Sequence, residues 1–250
     1  MIRYWKPALA AEALRGSVAA LVLLLSMSPM AASAATFSVV NDFGSSNFAY
    51  GGGVGGSNAF TALSNNSVCG FGLDCYRGSG FLPQVLKNTL GTDFFDGGTV
   101  VVPGGAVHFH PGFASTGEDA IIRFIAPIAG LYTIGGSFAR QDITANGNGT
   151  RVSIFSNVGG TYSSLFTNTI AANSYGNSTP FSGLTANLGV GDTIDFALNN
   201  LGDYAYDSTG ITANLSVASV PEPATWAMMI IGFGAVGSAM RSRRRAPLAA

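Results

Sequence analysis

Histidine and cysteine are scarce in this 250-residue chain, at two of each, and charged residues make up only 10% of it. Both tryptophans, Trp5 and Trp226, lie in the end segments, as do all six methionines. Between residues 35 and 219 there is one glutamate, Glu118. These shortages exclude much. There is no G-x-S-x-G, no H-E-x-x-H and no P-loop, and two histidines leave nothing to single out a Ser-His-Asp triad. No motif points to an enzyme. A tetrahedral cysteine–histidine zinc set cannot be assembled from Cys69 and Cys75 with no histidine near them. The near-zero net charge of the whole chain, -1, hides an imbalance. Residues 35 to 219 carry five basic side chains against eleven acidic ones, a net of -6. Such a segment offers no basic stripe to a nucleic acid or to an anionic polysaccharide.

That middle segment, about 185 residues long, is rich in Gly, Ser, Thr, Asn, Phe, Val and Ile. This composition favours strands and turns. Short apolar-alternating runs recur between turn signals, at 36–40, 99–102, 106–110, 120–126, 131–139, 150–156, 163–170, 181–188, 192–198 and 210–217. The spacing predicts an all-β domain over 35–219, a β-sandwich or barrel. The Gly-rich 41–60 stretch lacks a period and is expected to be loop with at most one short strand. FLPQVLKNTL, residues 81–90, is the one helix expected here, with Pro83 in its first turn.

The ends differ from the middle. Arg3, Lys6 and Arg15 precede an apolar run, Ser17 to Met27, and then Pro29 and the small residues Ala32-Ser33-Ala34. These are the parts of a signal peptide, residues 1–34, removed by signal peptidase after Ala34. The run is short for a membrane span, which takes ~20 residues. At the other end, residues 220–250, Pro221-Glu222-Pro223 leads into an uncharged stretch, 224–240, at the short end of what spans a bilayer. Arg241, Arg243, Arg244 and Arg245 follow in the 241–245 tail and mark the cytoplasmic side. The bulk of the chain is thereby placed outside the inner membrane.

Pro221-Glu222-Pro223-Ala224-Thr225-Trp226-Ala227, the apolar stretch and the arginines together resemble the PEP-CTERM sorting signal in its PEP-x-x-W-A variant. The resemblance covers about 30 residues. It implies a Gram-negative bacterium that makes extracellular polysaccharide, an exosortase-like processing enzyme as partner, transient anchoring in the inner membrane, and a destination at the cell surface or in the matrix. A second resemblance is more diffuse. Arg123-Phe124, Ala126-Pro127, Gly130 and Tyr132 carry a pattern similar to one in secreted jelly-roll modules, including carbohydrate-binding-module-like domains. It implies a jelly-roll-like sandwich. Together these readings suggest a non-catalytic surface or matrix protein associated with extracellular polysaccharide. The alternatives are a carbohydrate-binding module with a defined glycan site and, behind it, a polysaccharide-acting hydrolase.

Four groups of residues are singled out for binding or bonding. Cys69 and Cys75, in CGFGLDC, are placed to form a disulfide that fixes a surface loop. His108 and His110 stand two apart on a strand, so both face one side and offer imidazoles to a transition metal. Asp203 and Asp207, with Asn199 and Asn200, offer oxygens to Ca²⁺, though no other cofactor is expected. Tyr204 and Tyr206 would share a face if extended and form a small platform for a sugar ring.

Overall fold

The computed structural model describes residues 34–65, 69–70, 72–113, 117–172, 175–218 and 223–243. The predicted signal peptide therefore lies outside the described residues up to Ser33, as do Pro221, Glu222, Arg244 and Arg245. Ala34–Ala218 forms one compact unit.

That unit is an all-β sandwich of two antiparallel sheets, jelly-roll-like in its connections. The first sheet runs in the order β14 (Ser178–Leu188), β11 (Gly130–Arg140), β16 (Thr209–Val217), β9 (Val107–His110), β6 (Gln84–Asn88), β5 (Leu73–Arg77), β4 (Ser64–Asn65). β1 (Ala35–Ser38) joins it beside β16, just beyond the stretch of β16 that pairs with β9. The second sheet runs β13 (Thr161–Ile170), β12 (Thr150–Val158), β15 (Thr193–Asn199), β10 (Asp119–Ile125), β2 (Phe48–Gly53), β3 (Phe60–Ala62). The chain crosses between sheets at β10–β11, β11–β12, β13–β14, β14–β15 and β15–β16. From β9 onward most sequence neighbours therefore lie in opposite sheets, while β12–β13, like β2–β3, β4–β5 and β5–β6, pair within one.

Strand periodicity builds that core. Ala120, Ile122 and Phe124 alternate inward on β10 and meet Leu198, Phe196 and Ile194 of β15 in register. Tyr132, Ile134 and Phe138 face them from β11. Phe124 sits within 5.1–5.6 Å, centroid to centroid, of Phe37, Phe48 and Tyr132. One device keeps β14 in phase. Its inward residues are odd-numbered at Thr179 and Phe181 and even-numbered at Leu184, Ala186 and Leu188. The register with β11 slips at that point, where Ser182 and Gly183 oppose one residue, and Gly183 has φ +66°. A bulge with a left-handed glycine resets the pleat so both halves bury their apolar side.

The outer face of the first sheet is also covered. A hairpin, β7 (Phe94–Asp96) and β8 (Val100–Val102), lies over it, tied down by Val101 N–H to Gln141 O at 2.9 Å and Ile143 N–H to Thr99 O at 2.8 Å. Beneath it Cys69, Leu73, Cys75, Leu86 and Val102 form a second apolar cluster. Cys69 and Cys75 are disulfide-bonded there. Cys75 is 1% exposed, so the bond braces this small core and does not merely fix a surface loop.

The helix expected at 81–90 is absent. Residues 84–88 are β6, paired with β5 and β9 on either side. Val85 enters the main core and Leu86 the second cluster, so the strand is apolar on both faces and shows no alternation. Pro83 closes a turn, Gly78 N–H to Pro83 O at 3.0 Å, and does not open a helix. The Gly-rich stretch yields two strands, β2 and β3, where at most one was expected. β2 tolerates glycines because Phe60 and other side chains occupy the space a Cβ would need at Gly51.

Described separately, α1 (Pro223–Arg243) is 21 residues long and begins on proline, whose fixed φ suits a first turn. Among the described residues no helix is long and apolar enough to cross a membrane.

Candidate functional site

β9 lies between β16 and β6, with His108 opposite Gly210 and Leu86, and His110 opposite Gln84. Both imidazoles point to the outer face. His108 is 3% exposed. Its Nδ1–H donates to Gln141 Oε1 at 2.6 Å, and its Nε2 accepts from Gln84 Nε2 at 3.4 Å. Burial holds the ring neutral, pushing its pKa down to about 3, and the neighbouring His110 adds to the effect. His110 donates Nδ1–H to Pro111 O at 2.9 Å and is likewise pushed down by burial. Its Nε2 remains an acceptor. Both nitrogens of His108 are committed to glutamine side chains. Among the described residues no group of three or more His, Cys, Asp or Glu side chains is placed to hold a metal ion.

The same face opens into a cleft of about 390 Å³ lined by residues from five separated segments. Phe81, Leu82 and Gln84 form one wall; Asp96 and Thr99 come from the hairpin; His108, His110 and Phe113 form the floor; Asp142, Tyr204, Tyr206 and Ser208 close it. Tyr204 stands edge-on to Phe113 at 5.0 Å and to His110 at 6.4 Å. The Arg77 guanidinium stacks over the Phe81 ring at 4.0 Å. Gln84 Oε1 is buried with no hydrogen-bond partner. Asp142 Oδ2 accepts from Ser208 N–H at 2.8 Å, and burial pushes its carboxyl up to about 6.

Among the described residues three non-glycine positions have left-handed backbones, and two of them, Phe81 (φ +82°) and Tyr206 (φ +65°), line this cleft. Such conformations cost of order 1 kcal/mol or more and concentrate where a ligand is gripped. Tyr204 and Tyr206 sit in a turn, not an extended strand, so they do not form the flat platform expected of them. The turn still brings both to one cleft, together with His108 and His110.

Asp203 and Asp207 are separated in role. Asp203 Oδ1 accepts from Ala205 N–H at 3.1 Å in an exposed turn. Asp207 is fully buried, and its Oδ1 accepts from Thr150 Oγ1 at 2.9 Å. Asn199 donates to Asp119 Oδ1 at 2.5 Å and Asn200 to Gly112 O at 3.0 Å. The amide groups offered for Ca²⁺ thus tie loops to strands.

Gln84, Asp96, Asp142, Phe81 and Phe113 were not legible as site residues. They come from turns and strand ends far apart in sequence, and no local pattern marks any of them.

In the tail, Pro223 opens α1, and Trp226, Arg241 and Arg243 lie along it. An acidic β-sandwich followed by a proline-flanked helix with terminal arginines is the layout of an exported, sorted protein. Residues 219–245 match the family model of the PEP-CTERM protein-sorting motif. The motif implies export and membrane-anchored sorting by an exosortase-like enzyme. No curated protein matches the chain. Among solved structures, the chain is similar to TmCBM61 in complex with β-1,4-galactotriose at 12% identity and TM-score 0.31, covering 63% of this chain and 87% of that one. It is similar to the K1 adhesin domain of Lys-gingipain from Porphyromonas gingivalis W83 at 12% identity and TM-score 0.33, over 75% and 99%. It is also similar to the N-terminal cellulose-binding domain of Cellulomonas fimi β-1,4-glucanase C at 18% identity and TM-score 0.27, over 60% and 89%. At these scores the likenesses carry no argument about this chain.

Proposed function

We propose that the protein is a non-catalytic surface component that holds polysaccharide of the surrounding matrix in the Tyr204 cleft. Signal peptidase releases the chain after Ala34. The stretch 224–240 anchors it briefly in the inner membrane, and an exosortase-like enzyme reads Pro221-Glu222-Pro223 and passes the sandwich to the cell surface. The observation that carries the binding reading is the cleft itself. Exposed aromatic surface (Phe81, Tyr204) stands beside a buried, unpartnered acceptor, Gln84 Oε1, in a concavity of about 390 Å³. Saccharides present apolar ring faces to the first and hydroxyl donors to the second.

A glycan array with the purified protein tests this. Saturable binding to one glycan class, lost in Tyr204→Ala, supports it. Binding that survives Tyr204→Ala and Phe81→Ala moves the contact elsewhere and leaves a matrix protein without this site. Polysaccharide turnover by the protein would refute the non-catalytic assignment. For sorting, intact-mass measurement on separated cell fractions should find a chain that begins near Ala35 and ends near Pro221 to Pro223. Replacing Glu222 or deleting Arg241 to Arg245 should leave an unprocessed form, and unchanged processing in both would sink the sorting claim.

A further inference from the structure

The polar atoms that line the cleft are unequal in kind. Facing it are the Asp96 and Asp142 carboxylates, the unpartnered Gln84 Oε1 and the free Nε2 of His110. All four accept hydrogen bonds. The lining donors are the hydroxyls of Thr99, Tyr204, Tyr206 and Ser208 and the Gln84 Nε2 amide, which already contacts His108. The lining holds no Lys or Arg, and burial lowers the pKa of both imidazoles, that of His108 to about 3. The charged groups behind the lining do not reverse this balance. Arg77 stacks on Phe81, and Arg140 Nη2 donates to Thr144 O at 3.1 Å and Asn146 O at 2.9 Å. Asp207, close to Asp142, is held protonated by burial and adds no charge.

A ligand that fills this cleft must therefore bring donors, and positive charge is favoured over negative. Asp96 is exposed at the rim, where it can meet a cation at little desolvation cost. The aromatic rings of Phe81, Phe113 and Tyr204 add cation–π attraction for an ammonium group. We propose, resting on the saccharide reading of this same cleft, that its ligands are amino sugars with free ammonium groups, as in a de-N-acetylated hexosamine polymer. Uronic-acid polymers are disfavoured by the Asp96 carboxylate at the rim. Neutral glycans bind only through stacking and hydroxyl donation.

The test is calorimetry on the full-length protein in detergent at pH 5.5, where the sugar amine is protonated. The probes are a glucosamine hexamer, its fully N-acetylated counterpart, a neutral glucose hexamer and a glucuronic-acid oligomer. The glucosamine hexamer should bind about tenfold tighter than the N-acetylated form, as expected of one ammonium–carboxylate contact near a protein surface. Asp96→Asn should erase that difference and leave the weak binding of the N-acetylated form unchanged. Asp74→Asn, an exposed acid that does not line the cleft, should leave it intact. Equal loss in both variants would reveal bulk attraction to an acidic surface and overturn the proposal. Equal binding of the neutral and amine probes, abolished by Tyr204→Ala, would overturn amine selection while the saccharide reading stands. Failure of every probe to bind would overturn both.

Discussion

Asp207 should impose a pH dependence on stability that a single substitution removes. Its carboxyl is fully buried, takes one hydrogen bond from Thr150, and leaves Oδ2 without a partner. Burial pushes it up to about 8 from an ordinary value of 3.8. The folded chain therefore holds a proton there that the unfolded chain has released. Stability is fully present below the unfolded value and falls as pH rises, until the folded carboxyl itself ionises near pH 8. His108 and His110 have the opposite sign. Burial depresses them below 6.5, so they cost stability as pH drops beneath that value. Asp142, raised to about 6, shares the sign of Asp207 but is largely ionised in both states above pH 7. Between pH 6.5 and 8.5 Asp207 should thus lower stability by about 2 kcal/mol. For a domain of this size that corresponds to roughly 4–8 °C in Tm. Urea unfolding of the sandwich at both pH values should show the drop. Asp207→Asn keeps an oxygen for Thr150 and cannot titrate, so its drop should be about 2 kcal/mol smaller. The exposed Asp74→Asn, which plays no part in raising Asp207, should match wild type. Equal drops in wild type and Asp207→Asn would refute the reasoning.

Arg123 grips Asp195 through Nε and Nη2, both at 2.7 Å, and Asp195 is 1% exposed. Arg123→Ala strands a buried charge and should cost about 3–5 kcal/mol in denaturant unfolding, while Arg123→Met with Asp195→Leu should recover most of it. A Cβ at Gly136 would collide with Thr212 O on the neighbouring strand. Gly136→Ala should therefore force β11 from β16 and lower Tm by several degrees, where Gly91→Ala, with open space around it, perturbs no packing. Replacing both cysteines by alanine should cost less than about 3 kcal/mol, because the closed loop is short. A larger loss in thermal melts would mean that the second apolar cluster depends on the bond.

The sandwich was legible where strands obey a simple period. β11 and β16 alternate between core and surface, and β10 and β15, though covered on both faces, keep polar residues such as Arg123 and Asp195 on the outer one. Legibility failed where both faces are apolar. Val85 and Leu86 are buried on opposite sides of β6, so that segment reads as a continuous apolar run and its Pro83 imitates a helix start. The covering hairpin was half visible: 99–102 was recognised as a strand, but its partner Phe94–Asp96 is three residues long, and docking against residues 141–143 leaves no mark in a period. The candidate site divides the same way. His108 and His110 stood out because histidine is rare here, and Tyr204 and Tyr206 because paired tyrosines are. Which of these faces a cavity depends on a left-handed turn at Tyr206 and on chain segments more than a hundred residues apart. The tail was the most legible part, since an address read by another enzyme must be written locally.

The second apolar cluster connects these observations. A sheet of a sandwich needs only one buried face, and covering the other with a disulfide, a hairpin and Leu86 is not required to fold the main core. Its consequence is a wall. Asp96 reaches the cleft only because β7 and β8 are held down by Val101, Ile143 and the packing of Val102. His110, Tyr204 and Phe113 supply the opposite side from β9 and the two loops that follow β9 and β15. The cleft thus forms between an element anchored by local covalent bonding and one anchored by the main core. Its shape survives only while both anchors hold. A chain exported into an oxidising space can keep the disulfide, and the part of the sequence that secures export is the same tail that needs no fold to be read.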